Sequence, residues 1–462
     1  MNIPVSLARL KGGKKMSREL LYLALLIFSA LALSKAIVHL SILYFAMVLI
    51  PFLIYFCIEK PFLFPFGLYA LLLPFDSVLA ITGSSRGATL TKLCGILTIL
   101  VLSLKGLLEN RMKLPGRAAV WWALFVLYGV TSMWWAVRPE LTLTIVPTAV
   151  GLLLLYAVTS SFELKDNELE TFKWCILIGG TFAAVLTAYL TATGYYYHQT
   201  QRASIMVGER LTNPNKAAQS LLIPLSLSLR MILIKKEKLM KSLSLIMLIT
   251  IIFGIVVTGS RSSILGAFAI FIIYVVYSGH KLSLGLVLCA AGIPLILFAP
   301  EFFANRWGGT VESGGAGRLD IWTVAAKSLG KYWLSGAGLE NFTIAHGEFA
   351  HRMTGIGKDP HNIFLQTFVE LGVAGVSLVI IAIVSHYVML QKACYKNRLD
   401  AIMLKAACLG IVVHSFFHAS LWDKPFWLIW MMIMMQDRVT RSEPLEQADT
   451  ITNRSWVSRP SS

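Results

Sequence analysis

"IIFGIVVTGSRSSILGAFAIFIIYVV", from Ile251 to Val276, is apolar almost throughout, yet its centre holds Arg261 among Gly259, Ser260, Ser262 and Ser263. A charge at mid-bilayer costs roughly 2.5–3.5 kcal/mol on insertion scales. The apolar runs on either side, 242–258 and 263–278, are each about 17 residues and close to what a core of roughly 30 Å requires, so a single span cannot contain both. The stretch therefore reads as two apolar helices meeting at a turn, with Gly259 and the serines marking the break. Arg261 then sits at the end of a helix and not in the hydrocarbon.

The rest of the chain supports that reading. It has 462 residues, 56% of them hydrophobic and 14% charged, with mean hydropathy +0.69. A soluble globular protein carries about 25% charged residues. Long apolar runs between short basic loops specify an all-α, polytopic integral membrane helix bundle. The weak alternating segments of about ten residues that mark a membrane β-barrel are absent. The net charge of +17 is read as topological, because cytoplasmic loops collect Lys and Arg, and no nucleic-acid partner is inferred from it.

A span takes about 20 mostly apolar residues. Candidate spans are 19–35, 37–58, 61–81, 88–108, 118–137, 141–162, 170–192, 216–234, 242–258, 263–278, 282–299, 362–390, 400–420 and 425–437, which gives 12 to 14 crossings. "KGLLENRMKLPGR" (105–117), "KKEKLMK" (235–241), "GHK" (279–281) and "QKACYKNR" (391–398) are basic and read as cytoplasmic. Alternation then places 193–215, 259–263, 300–361 and 419–424 together on the outer face. Residues 1–18, with "ARLKGGKKMSRE", form a basic cytoplasmic N-terminus without a signal-peptide cleavage pattern. Residues 19–437 make the multispan domain, and 438–462 read as a polar, disordered cytoplasmic tail. The six cysteines suggest neither a disulfide framework nor a zinc site.

Within the outer segment 300–361, the Gly-rich "NRWGGTVESGGAG" reads as a mobile loop. "RLDIWTVAAKSLGKYWLSG" has the spacing of a short amphipathic helix. Trp307, Trp322 and Trp333 suit the membrane interface, where Trp is enriched. Trp121–Trp122 and Trp134–Trp135 read as interfacial anchors and packing residues.

Four outer places carry residues suited to chemistry. They are "GERLTNPNKAAQ" (208–219) with Arg210, Asn213 and Asn215; "TGSRSSILG" with Arg261; "GAGRLDIW" with Arg318, followed by "GAGLENF" (336–342); and "DPHNIFLQTFVELG" (359–372) with His361 and Glu370. In "DPHN", Asp359 and Pro360 stand where a cap and a first-turn proline are favoured. Taken alone, Arg261 could be an anchor snorkelling to a headgroup. His414 and His418 lie four apart, as metal ligands can, but the usual Glu between them is missing. They are expected to line the outer end of the bundle.

In the order and spacing of these motifs, over roughly 200–390, the chain resembles the O-antigen ligase and O-antigen polymerase superfamily of bacterial envelope glycosyltransferases. The resemblance implies a GT-C-like bundle with one large periplasmic loop, multi-pass in the bacterial inner membrane, with its site facing the periplasm. It also implies transfer of a glycan from undecaprenyl pyrophosphate to a sugar hydroxyl of a lipid A-core or other glycan acceptor. By position His361 matches the catalytic His, Arg210 and Arg261 match the pyrophosphate-binding arginines, and Arg318 matches an Arg-x-x-x-Trp element. Inversion at the anomeric carbon rests on the resemblance alone.

The chemistry is coherent. A leaving pyrophosphate needs charge stabilisation, and guanidinium offers a permanent planar fork of donors. The attacking hydroxyl needs a base, and imidazole titrates near working pH. No outer segment holds an Asp-x-Asp pair, so arginines in place of a metal is the expectation, with no cofactor. A ligase is favoured over a repeat-unit polymerase. A lipid-linked glycan flippase is the rival from another class, but it would require charges within spans and repeat symmetry.

Overall fold

The break at Gly259 is present, with Gly259 at φ +60° between a helix ending at Val257 and another starting at Arg261. The computed structural model describes residues 42–81, 87–194, 202–207, 210–279, 317–350, 358–392 and 398–442, with Phe28 and Gly285. The readings of 1–18, of the Gly-rich loop through 316 with Trp307, and of 443–462 lie outside these residues. Those of spans 19–35 and 282–299 do too, apart from Phe28 and Gly285.

Among the described residues the helices are α1 (Ile42–Glu59), α2 (Phe66–Leu72), α3 (Leu90–Leu108), α4 (Arg117–Thr131), α5 (Pro139–Ser161) and α6 (Asp166–Ala192). They continue with α7 (Pro214–Ser220), α8 (Leu222–Ile234), α9 (Lys238–Val257) and α10 (Arg261–Tyr277). The remainder are α11 (Arg318–Tyr332), α12 (Phe342–Phe349), α13 (Ile363–Lys392), α14 (Arg398–Ser415) and α15 (Lys424–Ser442). A two-stranded antiparallel hairpin, β1 (Met206–Val207) with β2 (Arg210–Leu211), precedes α7. Among the described residues, six segments are long and apolar enough to cross a membrane: Leu90–Leu108, Pro139–Ser161, Asp166–Ala192, Pro214–Ile234, Lys238–Val257 and Ile363–Gln391. The chain is an all-α polytopic membrane protein.

Two sequence boundaries move. The run 61–81 yields only the short α2 and a 3₁₀ turn at Leu73–Phe75, because Pro61, Pro65 and Pro74 interrupt backbone donation. Residues 438–442, read as the start of the polar tail, lie in α15, which ends at Ser442. Its last turns are held by an Arg441–Asp437 pair at 2.9 Å and by Arg438 Nε donating to Ser160 O at 2.9 Å.

Helix contacts follow the small residues. A Cβ on Gly266 of α10 would lie 2.7 Å from Gly410 O of α14, so these two backbones meet directly, as small residues permit in membrane bundles. Trp122 of α4, Trp427 and Trp430 of α15 and Phe426 form a buried aromatic cluster, with Trp122 and Trp427 centroids 5.1 Å apart. Of the two Trp pairs, Trp122 is therefore a packing residue, while Trp134 is 78% exposed.

The polar residues divide between the two ends of the bundle. At the end bearing 105–117, 235–241 and the start of α14, Lys173 is buried and reaches Glu170 at 2.9 Å, Asp400 at 2.8 Å and Gln436 at 2.9 Å. Arg230 closes that group through Glu170 at 2.7 Å and Asp400 at 2.6 Å, joining α6, α8, α14 and α15. Buried charges are tolerated only when paired and hydrogen-bonded like this. The other end gathers the described residues of 202–215, 258–261, 317–350, 358–362 and 416–424.

At that second end, the segment 332–342 is fastened from two sides. Ser132 Oγ accepts from Leu339 N at 2.9 Å, Thr142 Oγ1 donates to Leu339 O at 2.8 Å, and Asn341 Oδ1 accepts from Arg138 N at 2.8 Å. On the other side, Ala337 N donates to Val369 O at 2.9 Å, Gly338 N to Glu370 O at 2.8 Å and Val373 N to Trp333 O at 2.8 Å. "GAGLENF" is thus a main-chain clamp between the α4–α5 corner and α13. α13 itself breaks at Gly372, at φ 63° and ψ −164°, to make room for it.

Candidate active site

The second end encloses a cavity of about 430 Å³, within the size range of small-molecule sites. Helix starts supply much of its wall. Thr89 caps α3 by accepting from Lys92 N at 3.2 Å, and Asn213 caps α7 by accepting from Asn215 N at 2.8 Å, with Pro214 in the first turn. Lys92, Asn213, Lys216 and His361 therefore face one space, joined by His418 and Lys424 from the 416–424 turn and the start of α15.

His361 sits in a fixed turn. Its φ is +49°, in the left-handed region, where His is better tolerated than branched residues. The cap of α13 is not Asp359, as the sequence pattern suggested, but Asn362. Its Oδ1 accepts from Phe364 N at 2.9 Å and Leu365 N at 3.0 Å. The left-handed turn at His361 lets Asn362 take the cap position, which leaves Pro360 outside the helix. Trp322 Nε1 donates to Pro360 O at 2.9 Å, so the Trp of "GRLDIW" holds the residue just before His361. Burial lowers the His361 pKa, and the positive potentials of His418 and Arg318 lower it further against the pull of Asp359. The imidazole is therefore held neutral below the ordinary histidine range and can accept a proton.

Two further histidines link this turn to the "GSRSS" turn. The rings of His361 and His418 stack with centroids 6.4 Å apart, and those of His418 and His414 lie 5.2 Å apart. His414 Nδ1 is 3.0 Å from Ser263 Oγ of that motif. On the cavity wall Lys216 Nζ donates to Asp423 Oδ1 at 2.7 Å. Burial works to raise the Asp423 carboxyl, but the Lys216 ammonium and His418 override it and hold the group well below the ordinary carboxylate value. Across the wall, Lys424 pairs with Asp76, and Thr89 Oγ1 donates to the same carboxylate at 2.7 Å.

The four residues singled out from sequence do not all converge. His361 lines the cavity. Arg318 begins α11, reaches His361 electrostatically and lies over the Phe417 ring at 6.0 Å. Arg210 is exposed on β2 and donates to Ala80 O beside the cavity-lining 73–77 turn. Arg261 is the first residue of α10, partly buried, and is not among the cavity-lining residues. Asn215 has a structural partner in Arg202, whose Nη2 donates to its Oδ1 at 2.7 Å. Glu370 is buried in α13, accepting from Gln366 Nε2 at 3.0 Å.

The cations that do line the cavity are Lys92, Lys216 and Lys424, which sequence reasoning passed over. For two of them a signal was present, since "NPNKAAQ" and "WDKPFW" place a lysine in or beside the first turn of a helix. Among the described residues, no three His, Cys, Asp or Glu side chains converge at metal-ligand spacing.

Residues 246–380 match the model of a protein family described as O-Antigen ligase. The matched segment contains the "GSRSS" turn, α11, the "GAGLENF" clamp and the His361 turn. Arg210, Lys216, His418 and Asp423 lie outside it. No curated protein matches the chain.

Proposed function

We propose, from the match of residues 246–380 to the model of a family described as O-Antigen ligase, that the chain is an O-antigen ligase of the O-antigen ligase/polymerase superfamily. It takes a glycan from undecaprenyl pyrophosphate and attaches it to a hydroxyl of a lipid A-core or other glycan acceptor, at the periplasmic face of the bacterial inner membrane. The acceptor oxygen attacks the anomeric carbon while the bond from that carbon to the pyrophosphate oxygen breaks. The pyrophosphate leaves with the electron pair, and His361 takes the hydroxyl proton. Arg210, Arg261 and Arg318 are assigned to the pyrophosphate, and the inverting outcome rests on family likeness.

The observation carrying this reading is a neutral, backbone-fixed imidazole in the wall of a polar cavity at the end of the bundle opposite the basic loops. A position at one end suits an enzyme fed from lipid and from water better than it suits a flippase. Polymerase remains the second reading, because it uses the same chemistry on another acceptor. Purified protein incubated with lipid-linked repeat units decides between them. Transfer only when a lipid A-core acceptor is added supports the ligase; chain extension without it identifies a polymerase, and no transfer under either condition overturns both.

The charge environment of His361 makes a second expectation. A base must be deprotonated, so kcat/KM should rise with pH along a limb centred below the ordinary histidine value of 6.5. Arg318→Ala removes a positive neighbour, which raises the His361 pKa and moves the limb to higher pH. A limb that stays in place or moves to lower pH would contradict the assignment of His361 as base, whatever happens to the absolute rate.

A further inference from the structure

The cavity floor holds polar groups that proton abstraction and pyrophosphate binding do not use. Gln219 on α7 is 0% exposed, and neither its amide oxygen nor its nitrogen has a hydrogen-bond partner. His418 is 5% exposed, and neither ring nitrogen is hydrogen-bonded. Its Nε2 stands 3.5 Å from Asp423 Oδ2, too far for a hydrogen bond, and that oxygen is unpartnered too. The Trp422 indole N–H completes the set. All four side chains line the one cavity. A buried polar atom without a partner costs about 1–3 kcal/mol, and native proteins keep few of them. Several on one cavity wall form a surface shaped for something that supplies hydrogen bonds.

The mixture of groups says what that is. Gln219 Nε2 and Trp422 Nε1 donate, Gln219 Oε1 and Asp423 Oδ2 accept, and the His418 ring adds at least one N–H donor. Ionised phosphate only accepts, so it would leave the Gln219 oxygen unmatched and be repelled by Asp423. A sugar hydroxyl both donates and accepts, and a pyranose carries several on a ring with apolar faces. Leu421 and Pro425 in the same wall provide contact for such a face. The stacking of His418 on His361 puts this floor beside the proposed base.

We infer that Gln219, His418, Trp422 and Asp423 form a pyranose-binding subsite that holds the acceptor sugar with a hydroxyl toward His361. This rests on the transferase reading above. The residues act by positioning, so their loss should appear in acceptor affinity and KM more than in kcat.

The test uses the full chain in lipid nanodiscs and a panel of methyl hexopyranosides and heptopyranosides followed by saturation-transfer NMR. At least one should contact the wild-type protein. Gln219→Leu should weaken that ligand about five- to tenfold, the range expected for losing a neutral hydrogen bond, and raise the acceptor KM to match with kcat little changed. Trp422→Phe keeps the ring, removes only the N–H, and should act in the same direction if the leucine variant does not fold. No binding by any panel member to wild type, or unchanged affinity in both variants, overturns the subsite. Sugar binding that depends on Gln219 in a protein that transfers no lipid-linked glycan upholds the subsite and instead removes the transferase reading.

Discussion

His361→Asn is expected to reduce glycan transfer on the order of 10²- to 10⁴-fold, the usual contribution of a positioned general base. Asparagine is the informative replacement because it also tolerates the left-handed φ of +49° that this position adopts. The turn, the Asn362 cap and the Trp322–Pro360 hydrogen bond can then persist while the base is gone. The thermal midpoint and the affinity for undecaprenyl pyrophosphate should stay near wild type. His361→Ala should lose transfer to the same extent but also disturb the backbone, so a lower midpoint in alanine and not in asparagine would separate the two effects. Near-normal transfer by the asparagine variant would remove His361 from the mechanism.

The second large effect is expected at Gly372. At φ 63° and ψ −164° its backbone lies where essentially only glycine is found. A Cβ there would stand 2.1 Å from Leu334 O and 2.4 Å from Leu334 C, both main-chain atoms. They cannot retreat, because the 2.8 Å bond from Val373 N to Trp333 O and the 2.9 Å bond from Ala337 N to Val369 O hold both segments in contact. Gly372→Ala should therefore cost more than about 3 kcal/mol, strain and clash together. It should either fail to accumulate or lose transfer together with its thermal transition, since the clamp supports the chain from α11 to the His361 turn. Gly330 is the internal control. It is exposed on α11, and a Cβ added there would meet nothing within 4 Å, so Gly330→Ala should be neutral or stabilising by about 0.5–1 kcal/mol. Equal thermal midpoints for the two variants would show that the clamp is not needed.

Several features are legible in the chain itself. Hydropathy located the helix break at Gly259–Ser260, and the amphipathic pattern located α11 from Arg318. Basic loops separated the ends, so that 105–117 and 235–241 share one end while His361, Asn213 and the 416–424 turn share the other. These succeeded because each depends on residues adjacent in the chain: a span needs an unbroken apolar run, and a turn needs its own glycine or serine. The cap of α13 shows where local reasoning fails. "DPHN" contains two residues able to cap, and the choice of Asn362 follows from the φ of His361, which Trp322 helps to hold by its bond to Pro360, 38 positions away.

The site depended on pairings that no window of sequence contains. Lys424 meets Asp76 across 348 positions, Lys216 meets Asp423 across 207, and His414 meets Ser263 across 151. Motif order drew attention to Arg210, Arg261 and Arg318, yet the cavity wall takes its lysines from helix starts that look ordinary in the chain. By itself the sequence determined a multispan all-α bundle, a family resemblance over roughly 200–390 that a family model matches over 246–380, and the end of the bundle where polar chemistry collects. Only the tertiary structure decided which polar side chains share a cavity. Hydropathy fixes where each helix ends along the chain, whereas cavity membership depends on which ends are neighbours, and close contacts such as Gly266 against Gly410 set that arrangement across the bundle.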